Sequence, residues 1–347
     1  MARATYPSWF LLMKNAADAR MGFYEQNGVI APIEVELIRA GRNSEVSHLT
    51  TSKGQWILKN YYHHSSDKRD RLGTEFGFLI FLKNIGVTCV PQPLGMDNIL
   101  HCALYSFLPG KRPNTITSEH ISQCVSFIKQ INYSQKLSGA KLLPPAADAC
   151  FNWRDHLDLV DVRIARLMKV EPISELECAI FVFIKEKLLP LWVLLKYKLA
   201  QEIKISQSSE AWREDGRILS PSDFGFHNAI ENDMRLSFVD FEYAGWDDPA
   251  KLMCDFICQP ELPISTSQGA QFVEELLATL PYRDVVRHRV QHLLPVHRIK
   301  WCCILLNEFR VEDRNRRLHA GVQADRLLAT QFNKAKQYFN LHIATLI

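Results

Sequence analysis

From residue 33 the chain alternates. IEVELIRA (33–40), EVSHLTT (45–51) and QWILKNYY (55–62) put apolar, β-branched or aromatic side chains at every second position, the period of a strand with two unlike faces. Gly41, Arg42, Asn43 and Ser44 form the turn between the first two, and Lys53-Gly54 the turn between the second and third. The period then changes. DKRDRLGTEFGFLIFLKNIG (67–86) predicts a helix that begins near Asp67 and closes on Gly86. Pro91 and Pro93 bound a loop, and Leu94 to Phe107 reads as two further short strands with a turn at Asp97-Asn98. Residues 33–107 therefore predict a five-stranded antiparallel sheet with one inserted helix, preceded by a helix and lead-in over the first 28 residues. After the linker Pro109-Gly110-Lys111-Arg112-Pro113, helical period dominates over 118–133, 153–169, 173–204, 266–280, 284–312 and 322–342. A β-like stretch at 217–241 interrupts it. The expected architecture is α+β and bilobal: a small β-rich lobe over 1–108, and a large, mostly helical lobe over 109–347 with a short strand unit at its mouth.

Composition narrows the class. A chain of 347 residues with 47% hydrophobic and 23% charged side chains can bury its own core without a metal or disulfide staple. A net charge of +3 gives no footprint for nucleic acid. Nine cysteines, several in apolar surroundings (Cys124, Cys178, Cys254, Cys302), suit a reducing compartment. Cys254 and Cys258 lie one helical turn apart without further ligands, so they read as packing residues. The run Trp9 to Met13 is too short for a signal-peptide core. The apolar region from Cys178 to Tyr197 is broken by Lys185, Glu186, Lys187 and Pro190, so it cannot span a bilayer. The expectation is a soluble cytoplasmic protein.

Five polar residues break the pattern in places where breaking it is costly. In QWILKNYY, alternation sets Trp56 and Leu58 on one face and Ile57, Lys59 and Tyr61 on the other, so Lys59 shares an apolar face. In the following helix, Leu72, Glu75, Leu79 and Leu82 share one stripe, which places a carboxylate among leucines. Lys59 and Glu75 resolve each other's burial if they pair. Further on, SPSDFGFHN (220–228) sets Asp223 five residues before Asn228, and Asp240 stands at the end of the apolar run in LSFVDF (236–241). A carboxylate to accept a hydroxyl proton, with an amide and a second carboxylate as hard oxygen ligands, is what phosphoryl transfer requires.

The order Lys59, Glu75, Asp223, Asn228, Asp240 resembles the protein-kinase-like fold in its small-molecule branch, the aminoglycoside phosphotransferase and choline kinase superfamily. Its signature is His-Gly-Asp-x-x-x-x-Asn followed by a hydrophobic strand ending in Asp. The resemblance covers roughly residues 33–258, and implies ATP and Mg²⁺. It gives Lys59 to the α- and β-phosphates and Glu75 to the orientation of Lys59. Asp223 becomes the catalytic base, with Asn228 and Asp240 as metal ligands. The turn with Gly41, Asn43 and Ser44 would cover the phosphates, and the segment from Ser106 through Leu108 would line the adenine. The chain departs from the signature at Pro221, where the family has its loop-supporting His, and at Ser222, where it has Gly. The metal Asp sits in Asp-Phe-Glu, and the phosphate loop has a single glycine.

Only seven residues separate Asp240 from Asp248-Pro249, which reads as an N-cap with proline in the first turn. No activation segment fits in that gap, which favours a small acceptor over a protein. Tyr243, Trp246, Trp301, Asn307 and Glu308 are candidates for contacting it, with core packing an equal reading for the aromatics. Residues 281–326 carry ten Lys/Arg against five Asp/Glu, which points to a neutral or anionic hydroxyl compound such as a sugar or glycan precursor. His288 and His292 read as surface histidines, and Asp255 as structural. A non-catalytic, pseudokinase-like nucleotide-binding regulator or scaffold is the rival reading.

Overall fold

The computed structural model describes residues 19–38, 44–63, 69–133, 138–205, 214–314 and 324–346. Helix α1 (19–26) leads into β1 (Glu34–Ile38), β2 (Ser44–Thr51) and β3 (Gly54–Tyr61). Helix α2 (Arg71–Asn84) then crosses to β4 (Pro93–Asp97) and β5 (Cys102–Ser106). The five strands form one antiparallel sheet in the order β1-β2-β3-β5-β4.

Alternation sorts the two faces as expected. Leu49, Leu58, Cys102 and Leu104 pack with Phe23, Tyr24 and Val29 of the α1 region, and Trp56 joins them at the margin. Tyr61, Ala103 and Tyr105 face the other way, toward Leu72, Phe78, Leu79 and Leu82 of α2. Helix α2 starts later than the sequence suggested. Its cap is Asp70, whose carboxylate accepts from Gly73 N at 2.8 Å. The expected start at Asp67 falls outside the described residues. Gly86 closes the helix at φ 76°, a conformation that costs glycine little. Pro93 opens β4 rather than bounding a loop, and Pro suits the first residue of an edge strand.

The second half is helical. Its elements are α3 (Ser118–Tyr133), α4 (Trp153–Met168), α5 (Glu175–Phe183), α6 (Leu189–Ile205), α7 (Pro249–Cys258), α8 (Thr266–Leu277), α9 (Arg283–Leu305) and α10 (Ala324–His342). The single helical run expected over 173–204 is broken by a π-turn at Ile184–Leu188. Pro190 follows it and lacks the amide hydrogen that a regular α-turn would use. Helix α9 is central and packs against α4, α6, α7, α8 and α10.

The β-like stretch becomes two small sheets. β6 (Ile218–Ser220) pairs with β9 (Gly245–Asp247), and β7 (Ala229–Asn232) with β8 (Arg235–Phe238). One apolar cluster runs from Leu72 and Phe78 of α2 through Phe127, Phe224 and Phe241 to Val286 and Leu293 of α9. The sheet and the helical part therefore share a core. All nine cysteines are free; Cys178 is exposed, against expectation, on a helix whose apolar run is wider than its buried stripe. No helix among the described residues is long and apolar enough to cross a membrane.

Candidate active site

Three elements converge on one ammonium. Lys59 lies near the end of β3, opposite Val46 of β2 and Ala103 of β5, so its side chain leaves the middle of the sheet toward α2. Its Nζ donates to Glu75 Oε2 at 2.7 Å and to Asp240 Oδ1 at 2.5 Å, although Asp240 is 181 positions away in sequence. Glu242 Oε2 stands 3.9 Å from the same nitrogen. The oxygens of Glu75, Asp240 and Glu242 all lie within 4.8 Å of one another. Burial opposes the charge on Lys59, but Asp240, Glu75 and Glu242 outweigh it and hold its pKa well above the ordinary ammonium value.

A second tier of contacts holds these groups. Tyr61 O–H donates to Glu75 Oε2 at 2.7 Å and meets Tyr105 O–H at 2.7 Å, while Phe241 N donates to Glu75 Oε1 at 3.2 Å. Both Glu75 oxygens are thus used, as a carboxylate buried among leucines requires. Glu242 accepts from Ser44 Oγ at 3.4 Å and lies 3.7 Å from Arg71 Nε. Burial, reinforced by Asp240 and Glu75, pushes its pKa up to about 7 despite Lys59 and Arg71. The sequence reading noted Glu242 only as a departure at the glycine position. Its signal was a second carboxylate two residues after Asp240, and its fixed place next to Lys59 needed the tertiary structure.

The β6–β7 loop brings in the other residues. Asn228 Nδ2 donates to the Asp223 carbonyl at 3.0 Å, and Asp223 N donates to Pro221 O at 3.0 Å. Ser220 Oγ, fully buried, accepts from Ser222 N at 3.0 Å. Ser222 has φ 68° and Asp240 φ 70°, both left-handed. The left-handed turn at 222 explains why the signature has glycine there. The Asp223 and Asp240 side chains are 30% and 35% exposed, whereas Lys59, Glu75 and Glu242 are almost sealed. Two carboxylates thus keep part of their surface exposed, and one of them, Asp240, has a buried cation behind it.

The remaining expected site residues are placed as follows. Gly41 and Asn43 lie outside the described residues. Ser44 opens β2 and is tied to Glu242. Ser106 ends β5 with its amide and hydroxyl both spent on Gln92, and Leu108 is half-buried just beyond. Of the acceptor candidates, Trp301 and Glu308 are core residues; Trp301 Nε1 donates to Asp255 at 3.0 Å. Trp246 donates to Ala140 O at 3.0 Å. Tyr243 is half-buried, with the guanidinium groups of Arg69 and Arg71 5.5 and 5.8 Å from its ring centre. Arg69 also reaches Asp148 at 3.1 Å, and Arg163 bonds the same carboxylate, tying the segment before α2 to the helical part.

A charged network that the sequence did not announce joins β9, α4, α7 and α9. Asp248 caps α7 by accepting from Ala250 N at 2.7 Å, as expected, and also binds Arg289 and His156. His156 meets His297, and His297 meets Asp255, which also accepts from Lys300 and Trp301. Asp247 takes Lys251 at 2.6 Å. His292 Nδ1 is engaged by the His288 carbonyl at 2.8 Å, and its Nε2 faces Glu202 at 3.4 Å, so this pair is a surface contact.

Residues 34–169 match the model of the phosphotransferase enzyme family. No curated protein sequence matches the chain. Among solved structures, a choline kinase from Cryptosporidium parvum superposes with a TM-score of 0.56 at 12% identity, covering 95% of this chain and 98% of that one. A spectinomycin phosphotransferase in complex with ADP and spectinomycin gives 0.59 at 12% identity, over 91% and 98%. An amicoumacin kinase in complex with AMP-PNP, Ca²⁺ and its antibiotic gives 0.53 at 14% identity, over 95% and 96%. The chain therefore shares the fold of these choline and antibiotic kinases, and the family match lies over its β-rich part and the first helices after it.

Proposed function

We propose that the chain is an ATP- and Mg²⁺-dependent phosphotransferase acting on a hydroxyl of a small molecule. The observation that carries this reading is Lys59 Nζ held between Glu75 of α2 and Asp240 of the β8–β9 turn, which joins the sheet to the helical part. In this reading Lys59 binds the α- and β-phosphates, and Glu75 with Tyr61 keeps it in place. Residues 1–108 act as the nucleotide-binding lobe and 109–347 as the catalytic and acceptor-binding lobe. The turn with Gly41, Asn43 and Ser44 covers the phosphates, and the segment from Ser106 through Leu108 lines the adenine.

The donor set fits a hard cation. Asn228 spends its amide nitrogen on the Asp223 carbonyl, which leaves its oxygen for a metal, and Asp240 keeps part of its carboxylate exposed. Asn228 and Asp240 would hold Mg²⁺, which would supply charge neutralisation to the phosphates. Asp223 orients the acceptor hydroxyl and takes its proton. The bond from the γ-phosphorus to the β–γ bridging oxygen breaks as the new phosphorus–oxygen bond forms, and ADP leaves. Catalysis is chiefly positioning and charge neutralisation. The excess of basic residues over 281–326 supports a neutral or anionic acceptor, such as a sugar or glycan precursor.

Thermal-shift measurement with ATP, with and without Mg²⁺, followed by ADP release across a panel of sugars, amino alcohols and aminoglycosides, tests the reading. A Mg²⁺-dependent Tm rise and acceptor-dependent ADP release are expected. Absence of both effects in the wild-type protein overturns the kinase reading. Nucleotide binding with no turnover on any acceptor or on water overturns catalysis and favours a regulator.

A further inference from the structure

The histidine inside the β6–β7 loop has no part in the reading so far. The Asp-x-x-x-x-Asn spacing leaves position 227 open, yet His227 sits with its Nε2 3.2 Å from Asp223 Oδ1. The ring is nearly sealed, with a side-chain exposure of 8%. An ionised carboxylate only accepts, so Nε2 must carry the hydrogen. Nδ1 is buried and has no hydrogen-bond partner. The geometry thus puts a hydrogen on Nε2.

The surroundings hold the ring in that place. A Cβ on Gly225 would come 3.0 Å from His227 Nδ1 and 3.3 Å from Gln259 Cγ. Gly225 itself has φ 171°, extended backbone open to any residue, so its glycine answers to this close approach and not to a turn. The neighbouring Phe226 is buried in the shared core. The Asp223 backbone is fixed by Pro221 O and by Asn228 Nδ2. His227 adds a contact to the carboxylate itself, at Oδ1.

We propose that His227 is a positioning residue: it donates Nε2–H to Asp223 Oδ1 and so turns the other carboxylate oxygen toward the acceptor hydroxyl. The inference rests on Asp223 being the base of the proposed transfer. It supplies, from within the loop, support that the residue at 221 cannot give, since proline has no side-chain hydrogen bond to offer.

Two substitutions separate the donor from the bulk. Gln can place an amide N–H where Nε2 stands, whereas the shorter Asn cannot reach. With ADP release as the readout, His227→Gln is expected to stay within about threefold of wild type. His227→Asn and His227→Ala are expected to lose about 10- to 100-fold in kcat with the KM for ATP unchanged. Equal activity in Gln and Asn, whether high or low, or a loss confined to KM, overturns the proposal. Long-range ¹H–¹⁵N spectra of the wild-type protein should show a hydrogen on His227 Nε2, and an Nδ1–H tautomer overturns the proposal without reference to activity. A wild-type protein that releases no ADP overturns the kinase reading and the proposal together. Turnover in wild type with indifferent variants overturns the proposal alone.

Discussion

Two clusters of carboxylates and cations do opposite things with the same groups. In the first, Lys59, Glu75 and Glu242 are buried, but Asp240 and Asp223 keep about a third of their side-chain surface. In the second, Asp247, Asp248, Lys251, Asp255, His156, Arg289, His297 and Lys300 are all sealed. The second cluster closes on itself: Asp255 accepts from His297, Lys300 and Trp301, and its carboxyl is held well below the usual range by Lys300, His297 and Lys251 against the effect of burial. The first cluster leaves carboxylate surface exposed. Density of charge therefore does not identify a site in this molecule. A ligand can reach only charge that keeps an exposed edge.

That contrast can be broken by substitution. The largest effect is expected at the exposed edge: Asp223→Asn should lower turnover by about 10²- to 10⁴-fold, the range for loss of a general base. It should leave the Tm and the Mg²⁺-ATP thermal shift near wild type. Asp240→Ala should instead abolish the Mg²⁺-dependent part of that shift. In the sealed cluster the pattern should invert. Asp255→Ala strands Lys300 and His297 and should cost about 3–5 kcal/mol of stability in urea titrations, with nucleotide affinity in the surviving folded protein unchanged. A variant at Asp255 that folds normally but fails to bind nucleotide would erase the distinction.

A pH experiment sharpens it. Burial lowers the pKa of His297 to about 3, below its ordinary value of 6.5, despite Asp255 nearby. The unfolded chain then binds the proton that the folded one refuses, so stability is complete above pH 6.5 and is lost as pH falls toward 3. Wild type should lose a few kcal/mol between pH 7 and 4 through this group, and His297→Gln should flatten that part of the stability profile. The smallest effect belongs to the loop. Ser222 holds a left-handed conformation that costs a non-glycine residue roughly 1–2 kcal/mol, and Ser222→Gly should recover less than about 1 kcal/mol after the added freedom of the unfolded chain. The urea midpoint measures it.

Much of the candidate site was legible because its residues offend the local pattern. Lys59 on an apolar strand face and Glu75 in a leucine stripe each demand a partner, and the demand is visible within a few residues of sequence. Asp248-Pro249 announced its helix for the same local reason. The sealed cluster was not legible. Its members come from β9, α4, α7 and α9, and each looks ordinary in its own helix. His227 was hidden in another way: an imidazole among phenylalanines reads equally as packing, and its 3.2 Å contact with Asp223 depends on how one tight turn closes.

The sequence by itself determined the alternation of the five strands, the period of the helices and the identity of the side chains that could not be buried alone. Those are properties of neighbours three, four or two residues apart, set by backbone geometry. The tertiary structure decided which of the charged groups keep an open face. That choice depends on how β3, α2 and the β8–β9 turn meet across 181 positions, and no local period encodes a distance of 2.5 Å between residues so far apart.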